Sequence, residues 1–428
     1  MEKLTFAIAG MGNRGIRYAQ KQMEHPDDMQ VTAIADPRPQ QLESSNRFLK
    51  LPNERLFPSV EAMLAEPKLA DVMIIATQDA QHRAHAIAAM ERGYDLILEK
   101  PIANTMEDCI SIAQTAQRLG RRVLVCHVLR YTPFYRRIKN LLQQGRIGKV
   151  ESIEAMEAVG YYHFAHSFVR GNWHKAADSS PMILAKCCHD LDLMLWLTDR
   201  HCQRVSSFGS LDYFRAENCP ADAAERCLDC TVPDCPFHAP RFYESRIPGW
   251  PANVLHPEPT VENLRRILRT SDYGRCVFRM DNDVVDHQVV NLLMEGGATV
   301  SLQMIGFTAV QDRTIRIMGT EGELWGSFRS GLIHMQRFCE EEQVIDVSGD
   351  ARAFSGHGGG DSGLISDAIR YFRNEVFDRT SITELNDSIE SHCIAFAAEA
   401  SRLEGGAVMI PAKAQETAPA VAPGSRTD

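Results

Sequence analysis

The sequence predicts an α/β protein in two parts: a doubly wound parallel sheet, then an α+β domain built on a large open sheet, mixed or antiparallel. Three observations carry this. Short, uniformly apolar runs alternate with amphipathic helical patterns up to residue 130. A glycine-rich turn, AGMGNRG at 9–15, directly follows the first of these runs. Beyond residue 130 the runs lengthen, partly alternate, and are joined by short glycine turns.

The first-half runs are LTFAIA (4–9), QVTAIA (30–35), DVMIIA (71–76), YDLIL (94–98) and RVLVC (122–126). Helical patterns lie at 13–24, 38–49, 80–92 and 104–119. Strands that are apolar throughout belong to a parallel sheet covered on both faces. After residue 130 a helix is expected at 133–145, a strand near 149–159 and an apolar helix at 181–198. Strands with partial alternation follow at 203–211, 284–293, 297–308 and 313–319. Turns such as GTEG at 319–322 point to antiparallel pairing. Helices at 362–377 and 385–403 close the domain, which is expected to span 131–413. Residues 212–275 are rich in Cys, Pro and charge and read as an insertion. The Ala/Pro-rich stretch 414–428 reads as a disordered tail.

Bulk composition narrows the function. The chain has 428 residues and a net charge of -10, with pI near 5.9, which argues against nucleic acid as the main partner. No run approaches the roughly 18 apolar residues needed to span a membrane. The opening MEKLTFAIAG enters a strand at once and has no signal-peptide pattern, so a cytoplasmic location is expected. In that compartment the twelve cysteines are expected as thiols or metal ligands, not disulfides.

Gly10, Gly12 and Gly15 form G-x-G-x-x-G between strand and helix, with Met11, Asn13 and Arg14 inside the turn. The first glycine permits the tight turn. The second lets backbone approach a pyrophosphate. The third lets helix and strand pack closely. The pyrophosphate then meets the helix N-terminus, which favours anions. Asp36 ends the second strand, where a carboxylate accepts hydrogen bonds from a ribose 2′-OH and repels a 2′-phosphate. That favours NAD over NADP, although Arg38 close by weakens the exclusion.

Glu99-Lys100-Pro101 ends the run DLIL. Ligands of an open parallel sheet bind outside the carboxyl ends of its strands, so Lys100 can reach a cofactor held by the glycine turn. It is a candidate proton donor or acceptor, or a holder of a substrate hydroxyl. A second constellation lies in ILAKCCHDLDLMLWL (183–197), where Lys186, His189 and Asp192 recur at helical spacing. Two readings stand. One is an internal salt-bridge network. The other is a site where an imidazole meets substrate oxygen, with a lysine beside it and a carboxylate orienting the ring. Cys187 and Cys188 read as packing residues.

GYYHFAHSFVRGNW (160–173) interleaves Tyr161, His163, His166, Arg170 and Trp173, as polyol pockets do. Lys186 and Arg170 would favour a substrate with an anionic substituent. In DNDVVDHQVV (281–290), His287 alternates with Asp286, and one of the two is expected to face a pocket. GHGGGD (356–361) is a turn before a helix, with Asp361 as its expected N-cap. Cys219, Cys227, Cys230 and Cys235 give C-x7-C-x2-C-x4-C, which suits a structural four-thiolate zinc site ordering a segment without its own core. An iron–sulfur cluster, free thiols or one disulfide are the alternatives.

The chain resembles the glucose–fructose oxidoreductase, inositol dehydrogenase and rhizopine-catabolism (Gfo/Idh/MocA) family. The resemblance rests on AGMGNRG, ATQDAQHRAHAIAAMERGYDLILEKPIA (76–103) and the helix with His189, and covers residues 1–410. It implies a Rossmann domain followed by an open-sheet domain often used for homo-oligomerisation. It implies Thr77, His82 and Glu99 beside the cofactor. It also implies NAD(P)-linked oxidation or reduction of a hydroxyl on a sugar, sugar acid or cyclitol, with Lys100 and His189 as the catalytic pair and Lys186 nearby. Many members carry an aspartate one turn before this histidine. Here that position is Ala185. Some relatives are glycoside hydrolases that use NAD transiently, and one fungal relative senses ligands without catalysis.

Overall fold

The computed structural model describes residues 2–349 and 357–412, so the tail expected at 414–428 lies outside the described residues. Six parallel strands form the first sheet: β1 (Leu4–Ala9), β2 (Met29–Ala35), β3 (Leu56–Phe57), β4 (Val72–Ile75), β5 (Asp95–Leu98) and β6 (Val123–Val125). Their spatial order is β3-β2-β1-β4-β5-β6. This is the doubly wound order, with β1 and β4 adjacent where the winding reverses. Every residue of β4 is buried, as its VMII sequence demands of a strand covered on both sides.

The second sheet has eight strands: β7 (Val150–Ala158), β8 (Cys202–Ser210), β9 (His287–Met294), β10 (Thr299–Ile305), β11 (Asp312–Gly319), β12 (Gly322–Ser327), β13 (Leu332–Arg337) and β14 (Gln343–Asp346). They lie in the order β14-β13-β12-β11-β7-β10-β9-β8. Among the described strands of this sheet only the pair β7 and β10 runs parallel, so the sheet is mixed. Ile153, Val300, Leu302, Ile315 and Ile317 point to a core shared with the helix Met182–Thr198. The opposite face carries Glu154, Gln303, Thr314, Arg316 and Trp325 around an open groove of about 610 Å³.

β3 and β12–β14 extend the sheets beyond the sequence expectation. β3 is two residues long, and the outer strands are half-exposed, so neither makes a continuous apolar run. The helix Met182–Thr198 starts after Pro181, ends at Asp199 in the left-handed region (φ 53°), and is buried on all sides except at Lys186.

The C-terminal helices return to the first sheet. Leu364, Ile365 and Ile369, from the helix Gly360–Phe372, pack with Ile8, Tyr18 and Leu124. Leu385, Ile389 and Cys393, from Leu385–Leu403, pack with Ile75 and Leu98. The insertion has a small core of its own: Cys227, Ala239, Phe242, Tyr243, Ala252, Leu264 and Leu268. This corrects the expectation that the segment lacks one.

Candidate active site

The carboxyl ends of β1, β2, β4, β5 and β6 present, in turn, Gly10, Asp36, Thr77, Glu99-Lys100 and His127 along one edge. Gly10 sits at φ +91°, and a Cβ there would meet the Ala76 carbonyl oxygen at 2.5 Å. A Cβ on Gly15 would fall 1.9 Å from the Gly10 oxygen, so helix and strand are locked together. At Gly12 a Cβ would meet only Arg38 Nη2, at 3.9 Å. The space over Gly12 is therefore open, and no side chain caps the helix Asn13–Gln20 that begins beyond it. A pyrophosphate fits that cradle.

Asp36 is 3% exposed. Its carboxylate accepts the Met11 N–H at 2.8 Å and, from Arg38, the backbone N–H and Nε at 2.9 Å and Nη2 at 3.0 Å. Asn13 accepts from Arg17 at 3.3 Å.

Arg14 and Glu99 turn out to be braces. Glu99 Oε1 accepts from Arg14 Nε and from the Tyr18 hydroxyl, each at 2.6 Å, and Oε2 accepts the Lys100 N–H at 3.0 Å. Arg14 continues to Asp361 at 2.7 and 3.1 Å, with His357 against the same pair. The guanidinium holds both carboxyls below the usual carboxylate range despite burial, which pushes the other way. Asp361 is therefore not the N-cap expected from the sequence. Gly359 holds that position, and the Asp361 carboxylate turns to Arg14. His82 braces too, its ring nitrogens facing the Pro101 carbonyl at 2.8 Å and the Thr77 carbonyl at 3.2 Å. Thr77 Oγ1 lies 3.0 Å from His85 Nδ1.

Lys100 crosses to the second domain. Its Nζ donates to the Ala185 carbonyl at 2.9 Å, one turn before His189. His189 is 4% exposed, and its Nδ1 has no hydrogen-bond partner among the described residues. Burial, and then the Lys100 charge, hold its imidazole well below the ordinary histidine pKa, so the ring is neutral and can accept a proton.

The other two members of the helical stripe do not join this pair. Lys186 Nζ lies 3.2 Å from Glu157 Oε1, and the opposite Glu157 oxygen lies 2.7 Å from Arg313. Glu157 and Arg313 face each other across β7 and β11, and Arg313 also binds Asp190 at 2.8 Å. Two cations and two carboxylates thus balance in a closed buried set, which removes the expected anion preference of Lys186. Asp192 does not orient His189. Arg130 grips it with two bonds of 2.6 Å.

The 160–173 stretch divides. Trp173 Nε1 donates to Asp79 at 2.9 Å, two residues beyond Thr77 in the chain. His163 Nδ1 faces Gln311 Oε1 at 3.3 Å, and its ring meets Trp250 edge-on. Tyr161 packs on Tyr162 and Phe237. His166 and Arg170 turn into the insertion. His166 Nδ1 faces the Tyr243 hydroxyl at 2.8 Å, its ring stacks on Tyr273, and burial pushes its pKa down to about 3. Arg170 donates to the Arg275 and Phe237 carbonyls, both at 2.8 Å. Local interleaving of aromatic and basic residues looks alike in a pocket and in such a core. His287 is half-exposed at the start of β9, against Asp286 and Ser210. Asp286 is buried and accepts the Asp212 and Tyr213 N–H groups.

Among the described residues no group of three or more His, Cys, Asp or Glu is placed to hold a metal. This corrects the four-thiolate expectation for Cys219, Cys227, Cys230 and Cys235. Cys227 Sγ instead accepts from Arg170 at 3.4 Å inside the insertion core. All twelve cysteines are free thiols.

Residues 4–127 match the family described as oxidoreductase family, NAD-binding Rossmann fold, and residues 135–229 match the GFO/IDH/MocA C-terminal domain. The chain belongs to the Gfo/Idh/MocA family. Within it, YteT of Bacillus subtilis (strain 168) is 25% identical over 313 residues, 69% of this chain and 71% of YteT. Inositol 2-dehydrogenase 2 of Saccharopolyspora erythraea is 29% identical over 128 residues, 30% of this chain and about a third (34%) of that relative's length. The crystal structure of an inositol dehydrogenase homolog from Azotobacter vinelandii complexed with NAD+ superposes with a TM-score of 0.67, at 14% identity, over 96% of this chain and 97% of that one. The protein is an NAD-binding oxidoreductase of this family with the family's two-domain fold, and none of its described helices is long and apolar enough to cross a membrane.

Proposed function

We propose that the protein transfers a hydride between NAD and a secondary hydroxyl of a sugar, sugar acid or cyclitol, with Lys100 and His189 handling the proton. One observation carries this: Lys100, at the edge of the nucleotide-binding sheet, bonds to the helix turn that presents a neutral, buried His189. The inositol dehydrogenase relative supports the substrate class.

Bound NAD supplies the redox chemistry, and the protein supplies orientation and electrostatics. The open space over Gly12 and the uncapped helix after it would hold the pyrophosphate. Asp36, paired with Arg38, would meet the adenosine ribose, and its carboxylate favours NAD. Lys100 would hold the substrate hydroxyl and raise its acidity. His189 would take the hydroxyl proton as hydride leaves the carbon. Trp173, Tyr161 and His163 would border the sugar. With Lys186 and Arg170 paired elsewhere, Lys100 is the cation left for substrate. Assembly into a homo-oligomer through the open sheet face, and a cytoplasmic location, belong to the same reading. The groove over Arg316 and Trp325 supports the first, and the free thiols support the second.

A panel of sugars, uronates, cyclitols and aryl glycosides tests this, with NADH absorbance and product release followed together. NADH formation is expected. Aglycone release without net NADH would replace the dehydrogenase with an NAD-dependent glycoside hydrolase.

A further inference from the structure

His127 follows β6 as Lys100 follows β5, and it lies outside the Lys100–His189 pair. It is 1% exposed, and among the described residues neither Nδ1 nor Nε2 has a hydrogen-bond partner. An unmatched buried polar atom destabilises by about 1–3 kcal/mol, so two on one side chain call for an explanation.

Its surroundings supply one. The ring meets His189 edge-on, with centroids 5.6 Å apart and planes at 77°. His189 Nδ1 is the other unmatched imidazole nitrogen there. His127 Nε2 also stands 4.0 Å from Asp192 Oδ1, and Arg130 holds that carboxylate with two bonds of 2.6 Å. His392 also touches the ring, but its own nitrogens are engaged. Nε2 accepts the Ile102 N–H at 2.9 Å, and Nδ1 lies 3.1 Å from the Ser388 carbonyl. Burial, then Arg130 and Lys100, hold the His127 imidazole well below the ordinary histidine pKa, against the pull of Glu99.

We propose that His127 is a positioning residue of the reaction, the second ring of a proton relay from His189 to the Asp192–Arg130 pair. It rests on the assignment of Lys100 and His189 above. In the oxidative direction the substrate C–H bond breaks and its electron pair leaves with hydrogen as hydride to the nicotinamide. The O–H bond breaks, the carbonyl forms, and the hydroxyl proton passes to Nε2 of His189. His189 then releases the proton on Nδ1 through one bridging water to one nitrogen of the neutral His127 ring, which hands the proton on its other nitrogen towards the Asp192 carboxylate, whose pKa burial raises. No direct bond joins the two rings, so the relay calls for one water with an imidazole nitrogen of each ring among its partners. Reduction follows the same route backwards.

The test uses the full-length protein with NAD bound and its histidines labelled with nitrogen-15, so that imidazole spectra report tautomers without any substrate. His127→Phe keeps a ring and removes both nitrogens. His127→Gln keeps hydrogen-bonding atoms. A single His189 tautomer is expected in the wild type and in His127→Gln, and a mixture of two in His127→Phe. His82, fixed by Pro101 and Thr77, is expected to stay unchanged throughout. On whichever panel compound turns over, kcat should fall about 100-fold in His127→Phe with KM nearly constant, the low end of what acid–base assistance supplies. His127→Gln should recover part of it. The same single His189 tautomer in His127→Phe as in the wild type overturns the relay, whatever the turnover. A wild type inactive on the whole panel overturns the dehydrogenase reading alone.

Discussion

Arg14 Nε and Glu99 Oε1 lie 2.6 Å apart, so the glycine turn and the Glu99-Lys100-Pro101 element form one mechanical piece. Glu99 also takes the backbone N–H of Lys100, and Arg14 also grips Asp361. A cofactor on the turn and a lysine at the strand end are thereby held in fixed register. Arg14→Ala would leave two buried carboxylates without their cation. Breaking a buried pair on one side costs about 3–5 kcal/mol. Urea unfolding should show a loss of that size, and calorimetry should show weaker NAD binding.

The proton pair makes a sharper prediction. Lys100→Met and His189→Asn should each lower kcat about 100- to 10,000-fold, the range supplied by a positioned acid or base. NAD affinity should change little, because the cradle at Gly10–Gly15 is untouched. Near wild-type turnover in both variants would sink the assignment.

Lys186 is expected to behave as a structural residue. Lys186→Met strands Glu157, which is wholly buried, although Arg313 remains to it. Stability should drop by about 3 kcal/mol, while kcat, measured on the folded fraction, stays within a few-fold. A large loss of kcat at unchanged stability would return Lys186 to the catalytic machinery.

Acid should unfold the protein by two routes of the same sign. His166 and His392 are held neutral by burial, both with pKa pushed down to about 3, against about 6.5 in the unfolded chain. Between those values the unfolded state binds more protons, so stability falls as pH drops below 6.5, by up to about 1.4 kcal/mol per unit for each histidine. Glu99 and Asp361 have lowered folded values, so their contribution is present above about pH 4 and is lost as pH falls further. Urea midpoints at pH 7 and pH 5 should differ clearly. Equal midpoints would contradict the buried-histidine picture.

Chelation should leave the melting temperature unchanged. The insertion is organised by Tyr243, Leu264 and Leu268 and by Arg170 on two carbonyls. A drop in melting temperature with EDTA, matched by stoichiometric bound metal, would restore the four-thiolate site.

Residues whose meaning is local were legible in the sequence. Gly10, Gly15, Lys100 and the His189 helix could be placed because a tight turn, a strand end and a buried helix leave signatures within a dozen residues. Residues whose meaning depends on distant partners were not. Arg170 finds Arg275, and Lys186 finds Glu157 and, through it, Arg313. A polar side chain in an apolar stretch looks the same before and after such pairing. His127 leaves no such mark, because one histidine after a strand carries no pattern. Its position just past a carboxyl strand end, shared with Lys100, was the signal available.

The helix Gly360–Phe372 completes the core around Ile8, Tyr18 and Leu124, and Asp361 completes the hold on Arg14. These residues leave the ribosome more than two hundred positions after β6, on the order of tens of seconds later. During that interval the nascent nucleotide unit has its glycine turn but an open flank. Competence to grip a cofactor therefore arrives only with the last part of the chain.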